Sequence, residues 1–485
     1  MSNLSRRRFL EDSLLAAAAM AVGPSAKTIA AETSRQSASP NEKLAVAVVG
    51  VRGQGGSHLA AFASRKDTEV LYVVDADEVV GNKACESIAS KQGRRPKFVK
   101  DMRKAFDDPA LDVVSTATPN HWHSLVAIWA MQAGKDVYVE KPVSHNVSEG
   151  RRAVEVARKY NRICQTGTQC RSMQGTIQAI EYIKAGKIGK VSLARGLCYK
   201  RRPSIGPKGQ YAIPPEVDYD LWSGPAPILP LTRPRLHYDW HWIWAYGNGD
   251  LGNQGIHQMD IARWGLGVDE LSRAVFSYGG RLGYEDAGET PNTQVVVHDY
   301  GDRTLVFEVR GLETKDLLGA NIGVIFYGTE GYVVLTSYTS GAAFDKKGNL
   351  VQKFNGGGDH FDNFLKAVRS RKYTDLKADI LEGHLSSALC HLGNISYLLG
   401  EPVTVAEAKK RLSDCRCHDD CLETLSRVTA HLADNGVKTE GLKMTFGPLL
   451  KFDPQSETFP DSAAANKLLT RDYRKPYVVP AATEI

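Results

Sequence analysis

The chain contains no hydrophobic run long enough to cross a bilayer: residues 14–22 are apolar, but a membrane helix needs about 20 such residues. It has no lysine- or arginine-rich block beyond the extreme N-terminus, and 61 basic and 55 acidic residues leave a formal charge of only +6. A nucleic-acid partner is therefore not expected. With 42% hydrophobic and 24% charged residues, and no internal repeat, the composition is typical of a globular protein.

Cysteine is also scarce, with eight in 485 residues. Five cysteines are far apart in the sequence and are typical of core positions: Cys85, Cys164, Cys170, Cys198 and Cys390. The other three, Cys415, Cys417 and Cys421, crowd around His418. Their spacing, C-x-C-H-x-x-C, lacks the paired arrangement of structural zinc sites. The sequence therefore predicts no metal and leaves open a disulfide within this segment.

The N-terminus has the pattern of a twin-arginine export signal. Three arginines, Arg6, Arg7 and Arg8, precede the apolar run 14–22, and the small residues Ala26, Ala30 and Ala31 follow. A basic tail followed by an alanine-rich helix is the alternative. We expect residues 1–40 to be a signal and linker, with the twin-arginine translocase as a partner and the periplasm as the destination.

At 485 residues the chain is longer than one hydrophobic core usually serves, so we expect two domains. The continuous apolar run at 44–49 is typical of a parallel strand buried on both faces, and residues 113–118 and 163–166 are predicted as further strands. Helical patterns separate them, and repeated β-α units of this length predict a doubly wound parallel sheet. We place this Rossmann domain at residues 41–168.

A glycine-rich turn follows the first strand and indicates a dinucleotide site. Gly50, Gly53 and Gly55 would let the backbone approach a pyrophosphate, which the start of the following helix favours. Arg52 stands where G-x-G-x-x-G has its middle glycine, and would crowd that approach. Asp75 ends the next strand, where a carboxylate suits the ribose hydroxyls of NAD and repels the 2′-phosphate of NADP. A glycine turn without a ligand is the alternative.

Lys141 is the residue around which the candidate site is organised. A short strand, 137–139, runs directly into Glu140, Lys141 and Pro142, and the proline favours extended geometry at Lys141. The loop 118–123 and the glycine turn reach the same edge of the sheet, where ligands bind in open α/β sheets. The alternative is an ordinary lysine at the end of a strand.

Residues 169–485 do not continue the β-α repeats of the first domain. A tryptophan-rich loop segment, 200–246, is followed by a helical pattern in which Asn253, His257 and Asp260 would share one face. Several strand-like runs come next, and their short connections predict an α+β domain with an open, mainly antiparallel sheet. An exposed face of that sheet favours self-association into a homo-oligomer.

These motifs resemble the Gfo/Idh/MocA oxidoreductase family, from Lys43 onward. The resemblance is strongest over residues 117–171, which include ATPNHWHS and GKDVYVEKPVSHNVSEGRR, and over residues 240–267, which include GNQGIHQMD. It implies a Rossmann domain followed by a C-terminal α/β domain on an open antiparallel sheet. The signal and the tryptophan-rich segment are similar to those of exported members of the family.

The resemblance also implies roles for individual residues. Lys141 matches the catalytic lysine of the family's Glu-Lys-Pro motif, and His257 matches the histidine of an Asp-x-x-x-His pair in which Asn253 replaces the carboxylate. The residues expected to contact NAD are Gly50, Arg52, Gly53, Gln54, Gly55, Asp75, Thr118, Pro119, Asn120, His123, Glu140 and Lys141. Those expected to contact the substrate are Asn253, Asp260, His121, Arg171, Trp240 and Trp242.

Hydride transfer from a carbinol carbon to nicotinamide requires a base for the hydroxyl proton. His257, with an ordinary pKa of about 6.5, is predicted to be that base. Lys141, with an ordinary pKa of about 10.4, is predicted to position the hydroxyl and stabilise alkoxide charge. The alternatives are a hydrogen-bonded core histidine for His257 and packing beneath the loop for Trp240 and Trp242.

Export in a folded state implies that NAD is bound tightly before translocation. A trapped cofactor must be regenerated in place, which leaves two kinds of reaction. One is oxidation of a sugar, polyol or glycoside hydroxyl, with a second substrate returning the hydride. The other is a redox-neutral glycosidase cycle of oxidation, elimination, hydration and reduction. A non-catalytic sugar-binding protein is a third alternative.

Overall fold

The computed structural model describes residues 43–485, which form one compact unit built on two sheets. The predicted export segment, residues 1–40, lies outside the described residues. Among the residues that the structure describes, no helix is both long enough and apolar enough to cross a membrane.

The first sheet is the predicted Rossmann sheet. Its six strands are β1 (Leu44–Val49), β2 (Thr68–Val74), β3 (Lys97–Val99), β4 (Val113–Thr116), β5 (Asp136–Val139) and β6 (Cys164–Thr166). All neighbours are parallel, in the order β3-β2-β1-β4-β5-β6. The strand order reverses between β1 and β4, which opens a crevice at their carboxyl ends.

The helices of this first domain cover both faces of the sheet. They are α1 (Gln54–Ala63), α2 (Glu78–Gln92), α3 (Arg103–Phe106), α4 (His123–Gln132) and α5 (Val147–Lys159). The Asp77 carboxylate accepts from the Val80 amide to begin α2, and the Asn146 side chain accepts from the Glu149 amide to begin α5. Eight of the ten residues of α4 are buried, as its apolar sequence predicts.

The second sheet has eleven strands: β7 (Val191–Tyr199), β8 (Ala274–Gly280), β9 (Thr293–Asp299), β10 (Thr304–Arg310), β11 (Ile322–Gly328), β12 (Gly331–Leu335), β13 (Ser340–Asp345), β14 (Leu350–Asn355), β15 (Glu401–Thr404), β16 (Lys443–Phe446) and β17 (Leu450–Lys451). Their order is β14-β13-β12-β11-β7-β10-β9-β8-β16-β15, with β17 also paired to β8. Only the β7–β10 pair is parallel. The predicted mainly antiparallel sheet is confirmed.

Helices pack on both faces of β8, β9 and β10 in this second sheet, whereas the residues of β13 and β14 stay mostly exposed or half-buried. The helices after the first domain are α6 (Gln174–Lys184), α7 (Tyr219–Ser223), α8 (Gly249–Asn253), α9 (Gly255–Leu266), α10 (His360–Ser370), α11 (Ile380–Leu398), α12 (Val405–Ser413), α13 (Cys421–Asp434) and α14 (Ala463–Lys467). Apolar residues of α9 and α11 pack on one face, and those of α12 and α13 pack on β8, β9 and β10 from the other. The expectation of an exposed face is wrong for these strands, because the apolar stripes of α12 and α13 cover them.

The last described residues return to the first domain. Tyr477 and Val479 are buried in its core, and the Tyr477 ring lies 5.4 Å from that of Trp122. The Ser148 amide donates to the carbonyl of Leu469 at 2.9 Å. The last strand of the first sheet, β6, ends at Thr166, but the tail of the chain crosses back to this sheet's core.

Candidate functional site

A cavity of about 840 Å³ lies where the carboxyl ends of β1, β2, β4 and β5 meet the loop segment 200–246 and the end of α8. Volumes of this size are typical of ligand sites. Most residues predicted to contact the cofactor line it: Gly50, Arg52, Gly53, Gln54, Asp75, Thr118, Pro119, Asn120, His123, Glu140 and Lys141. Of the residues predicted for the substrate, Asn253 and Trp240 line it. Six predicted residues lie outside the lining: Gly55, His121, Arg171, Trp242, His257 and Asp260.

The turn between β1 and α1 requires glycine at two positions. Gly50 has a φ of +75°, and a Cβ there would lie 2.7 Å from the Thr118 amide nitrogen. A Cβ on Gly55 would lie 1.8 Å from the carbonyl oxygen of Gly50. Gly53 has a φ of +62°, faces open space and directly precedes α1. The backbone of this turn and the first residue of α1 therefore line the cavity.

Glu140 is buried, and its side chain holds the Glu140-Lys141-Pro142 motif in place. Its Oε1 lies 3.1 Å from His58 Nε2, and its Oε2 accepts from the Lys141 amide at 3.1 Å. His58 Nδ1 in turn lies 2.8 Å from Ser115 Oγ on β4. Burial would raise the pKa of Glu140, but the hydrogen bond and charge of His58, together with the charge of Lys141, lower it to about 2. Glu140 is therefore a carboxylate that fixes the backbone of Lys141.

The Lys141 ammonium connects the two domains. Its Nζ donates to the backbone carbonyl of Asn253 at 2.9 Å. Burial lowers the pKa of Lys141; the charge of Glu140 opposes this effect, whereas Lys200 and Arg202 reinforce it. The amine therefore loses its proton more readily than an exposed lysine does.

Asn253 can accept this bond because the helical segment is interrupted. α8 ends at Asn253 and α9 is a separate helix, so the predicted common face for Asn253, His257 and Asp260 is wrong for Asn253. In a continuous α-helix the His257 amide would donate to the Asn253 carbonyl. It donates instead to Gln254, at 3.1 Å. The break leaves the Asn253 carbonyl available to Lys141.

His257 lies behind the cavity wall. Its side chain is buried, its Nδ1 is 3.9 Å from the Cys170 sulfur, and its ring is 5.0 Å from that of Tyr338. Burial and the charge of Lys141 lower the pKa of His257 to about 3. The imidazole is therefore neutral at ordinary pH.

Arg171 and Asp260 belong to a buried ion-pair network. The Arg171 guanidinium donates to both oxygens of Asp260 at 2.8–3.0 Å and to Glu382 at 2.8 Å. Ser386 Oγ also donates to Asp260, at 2.7 Å, and Arg263 pairs with Glu382. This geometry commits Asp260 to the protein interior rather than to the predicted contact with a substrate hydroxyl.

Two histidines hold the loop that follows β4. His123 Nδ1 lies 2.5 Å from the Pro142 carbonyl oxygen and its Nε2 lies 2.7 Å from that of Thr118. His121 contacts two backbone carbonyls of the segment 200–246 at 3.0 and 3.3 Å. His123 therefore joins two strand ends, whereas His121 fastens the loop to the segment that covers the cavity.

The two predicted tryptophans have different environments. Trp240 lines the cavity and stacks on His241, with ring centroids 3.6 Å apart and planes 20° apart. Trp242 is buried in a small cluster with Ile205 and Ala287. Trp240 can present an apolar face to a ligand, and Trp242 has the packing role.

The sequence analysis missed three histidines of this site. His58 orients Glu140, while His237 and His241 line the cavity. A helical spacing could have indicated His58, because it follows Gln54 at i+4 on α1 and both side chains reach Glu140. No comparable signal marks His237 and His241, which lie in the irregular segment 200–246.

The cavity suits a dinucleotide at three points. The open position at Gly53 directly before α1 favours a phosphate. The Asp75 carboxylate, fixed by the amides of Val51 and Asp77 at 2.9 Å each, lines the wall at the end of β2. The buried Asn120 Oδ1 has no hydrogen-bond partner among residues 43–485. Buried acceptors of this kind are usually hydrogen-bonded, so this oxygen is available to a donor on a ligand.

Two family models match the chain and together cover more than half of it. One is described as an oxidoreductase family with an NAD-binding Rossmann fold and matches residues 44–168. The other is described as the C-terminal alpha/beta domain of an oxidoreductase family and matches residues 206–432.

Individual proteins are similar at lower identity. A levoglucosan dehydrogenase from Pseudarthrobacter phenanthrenivorans is 27% identical over 318 residues, 60% of this chain and 73% of the relative. An alpha-N-acetylgalactosaminidase from Shewanella oneidensis is 24% identical over 210 residues, 39% of this chain and less than half (45%) of that relative. The structure of the WlbA dehydrogenase from Bordetella pertussis, in complex with NADH and UDP-GlcNAcA, has a TM-score of 0.54 at 19% identity, covering 72% of this chain and 95% of that one. The similarity to the WlbA dehydrogenase shows that the two proteins share a fold.

Proposed function

The chain belongs to the Gfo/Idh/MocA oxidoreductase family, whose N-terminal domain binds NAD, and we propose that it oxidises a hydroxyl group of a sugar, polyol or glycoside. NAD, when bound, supplies the hydride acceptor. The observation that carries the proposal is the position of Lys141 in the cavity wall, between the Rossmann strand ends and the carbonyl of Asn253. The similarity to a levoglucosan dehydrogenase supports a sugar as the class of substrate.

Residues of the first domain would hold NAD. The start of α1 and the exposed Arg52 would bind the phosphates. Asp75 would bind the ribose hydroxyls and disfavour NADP. Asn120 Oδ1 would accept a hydrogen bond from the cofactor. We propose that the bound cofactor is held tightly enough to survive purification.

Replacing Gly55 by Ala is expected to weaken NAD binding at least about tenfold, because the new Cβ would overlap the Gly50 carbonyl and force the turn to move. Gly56→Ala is the matched control, since its Cβ would meet only the Val51 carbonyl, at 3.7 Å. Equilibrium titration with NAD, after removal of any carried nucleotide, measures both variants. Equal affinities would show that the turn does not determine cofactor binding.

The geometry favours Lys141 as the proton acceptor, in place of the predicted His257. A general base must reach the hydroxyl proton, and its pKa should lie near the pH at which the enzyme works. Lys141 lines the cavity and has a lowered pKa, whereas His257 lies behind the wall and has a pKa of about 3. The carbonyl of Asn253 would hold Nζ in place as the proton arrives. The neutral His257 would act as a positioning residue beside it.

The pH dependence of kcat/KM tests this assignment. Because oxidation needs the neutral amine, the rate should rise with pH up to the pKa of Lys141, which lies below 10.5, and fall about tenfold per pH unit beneath it. His257 should contribute no transition near pH 6.5. A transition there that disappears in His257→Gln would instead identify the histidine as the base.

A redox-neutral, NAD-dependent glycosidase is the second candidate, in the same cavity. The observation that favours it is the similarity to an alpha-N-acetylgalactosaminidase and to several glycosyl hydrolase family 109 proteins. In that reaction Lys141 would take up the hydroxyl proton during oxidation and return it during reduction. No second substrate would be needed.

Incubation of the purified protein with glycosides and no added NAD distinguishes the candidates. Release of free sugar, with no net change in the nucleotide, indicates the glycosidase. Oxidised sugar that accumulates only when an acceptor is supplied indicates the oxidoreductase. Binding without either product would indicate a sugar-binding protein and contradict the proposal.

We also propose that the chain is exported to the periplasm by the twin-arginine translocase and works there as a homo-oligomer. The support for export is the sequence of residues 1–40, and the cofactor would then travel with the folded protein. The support for self-association is the exposed strand β14 at the edge of the second sheet, beside the half-buried β13. Cell fractionation of the wild type and of a variant with Arg6, Arg7 and Arg8 replaced by lysine tests export. Equal distribution of both between compartments would contradict it, and light scattering of the purified protein measures the oligomeric state.

A further inference from the structure

Three cysteines outside the candidate active site converge on one point beside the second sheet. The Cys417 sulfur lies 3.7 Å from that of Cys415 and 3.4 Å from that of Cys421, and all three sulfurs lie within 4.8 Å of one another. A tetrahedral site with metal–sulfur bonds of about 2.3 Å places its sulfurs about 3.8 Å apart. Two of the three sulfur–sulfur distances are therefore close to this value, and the third is no more than 4.8 Å.

The loop that carries the cysteines is held in place by protein contacts. The His418 amide donates to Thr304 Oγ1, on β10, at 3.0 Å. The Asp419 carboxylate forms a buried ion pair with Arg195, on β7. Cys421 is the first residue of α13, where the helix dipole stabilises a thiolate. These contacts position the sulfurs before any ion binds, which lowers the entropic cost of binding.

A disulfide accounts for the cluster less well than a metal does. A disulfide joins two sulfurs at about 2.05 Å and would leave the third thiol in the cluster without a function. Simple core packing is also a poor explanation, because Cys415 and Cys417 are only half-buried. The sequence analysis predicted no metal because the spacing lacks a paired motif, but the turn into α13 brings the three residues together.

We propose that Cys415, Cys417 and Cys421 bind one thiophilic divalent cation, with Zn²⁺ as the representative ligand. Thiolates are the ligands that such ions prefer, and three of them leave the fourth position of a tetrahedral ion to an exchangeable ligand. The ion would fix the conformation of the connection between α12 and α13, which Asp419 and His418 already attach to β7 and β10. It would act on stability and not on the chemistry at Lys141.

The test uses the full-length protein, prepared with reductant and loaded with Zn²⁺ or Co²⁺. Elemental analysis should find a stoichiometry near one, and Co²⁺ should give a sulfur-to-cobalt charge-transfer band. Cys421→Ser should weaken Co²⁺ binding by at least about 100-fold, since loss of even an outer-shell partner costs about 10- to 100-fold. Cys85→Ala removes a buried thiol from the first domain and should leave the stoichiometry unchanged.

Alkylation counts the thiols in a second sample, which is purified without reductant, freed of metal by a chelator and then unfolded. All eight should react if the cluster is a metal–thiolate site, and two fewer would react if it is a disulfide. Failure of the reduced wild type to bind Zn²⁺ or Co²⁺ overturns the proposal, as does full retention of the ion by Cys421→Ser or Cys417→Ser. Should the variants fail to fold, the wild-type Co²⁺ spectrum and its loss on addition of a chelator decide the question alone.

Discussion

Lys141→Met is expected to lower kcat by about 10²- to 10⁴-fold, the range that general acid–base groups contribute. Methionine keeps an unbranched apolar stem but removes the nitrogen that would accept the hydroxyl proton and that donates to Asn253 at 2.9 Å. The fold and the bound NAD should be retained, because Glu140 anchors the motif through the Lys141 backbone. Single-turnover kinetics on cofactor-loaded protein measures the chemical step directly.

The matched control is Lys97→Met. Lys97 is the first residue of β3, at the amino end of the strand and outside the cavity lining, and its side chain is 61% exposed. Its removal should leave kcat unchanged. If Lys141→Met retained wild-type kcat, Lys141 would have no part in the mechanism. If it lost NAD or the fold, its role would be structural.

Glu308→Gln is expected to destabilise the protein by about 3–5 kcal/mol, the cost of breaking a buried ion pair. Glu308 is fully buried on β10 and accepts hydrogen bonds from Arg195, Arg310, Arg427 and the Tyr199 hydroxyl at 2.5–3.0 Å. The arginines lower the pKa of Glu308 to about 2, although burial alone would raise it. Glutamine has the same shape but leaves three guanidinium groups with too little negative charge.

Chemical denaturation followed by circular dichroism measures the loss. Glu330→Gln is the control: its partner is Lys346, at 3.4 Å, and the two side chains are 66% and 62% exposed. An exposed pair of this kind contributes no more than about 1 kcal/mol. Similar losses for the two variants would show that the Glu308 network contributes no more than a surface pair.

Much of the fold could be predicted because several strands, such as β1 and β11, are rich in apolar residues. β1 has the bounds of the predicted apolar run, 44–49, and the parallel pairing of the first sheet follows from its β-α repeats. β13 and β14 escaped prediction because their side chains are mostly exposed or half-buried, and so lack an apolar pattern. Pairing with neighbouring strands, rather than local sequence, determines their conformation.

The candidate site could be predicted where function depends on local position. Lys141 follows a buried strand directly, and that alone places it at the edge of the sheet. Its contact with Asn253 depends on a break between two helices, which the i, i+4 spacing of Asn253 and His257 concealed. The glycines at 252 and 255 on either side of the break are the signal that could have indicated it. Burial of His257 is a tertiary property that its sequence neighbours do not reveal.

The return of Tyr477 and Val479 to the first domain has a consequence for biosynthesis. The first domain is translated early but stays incomplete until Tyr477 and Val479, which come much later in the chain, have left the ribosome and packed against it. Prematurely terminated products would thus lack part of the core beneath the cofactor cavity, and chaperones or proteases could recognise them as unfinished.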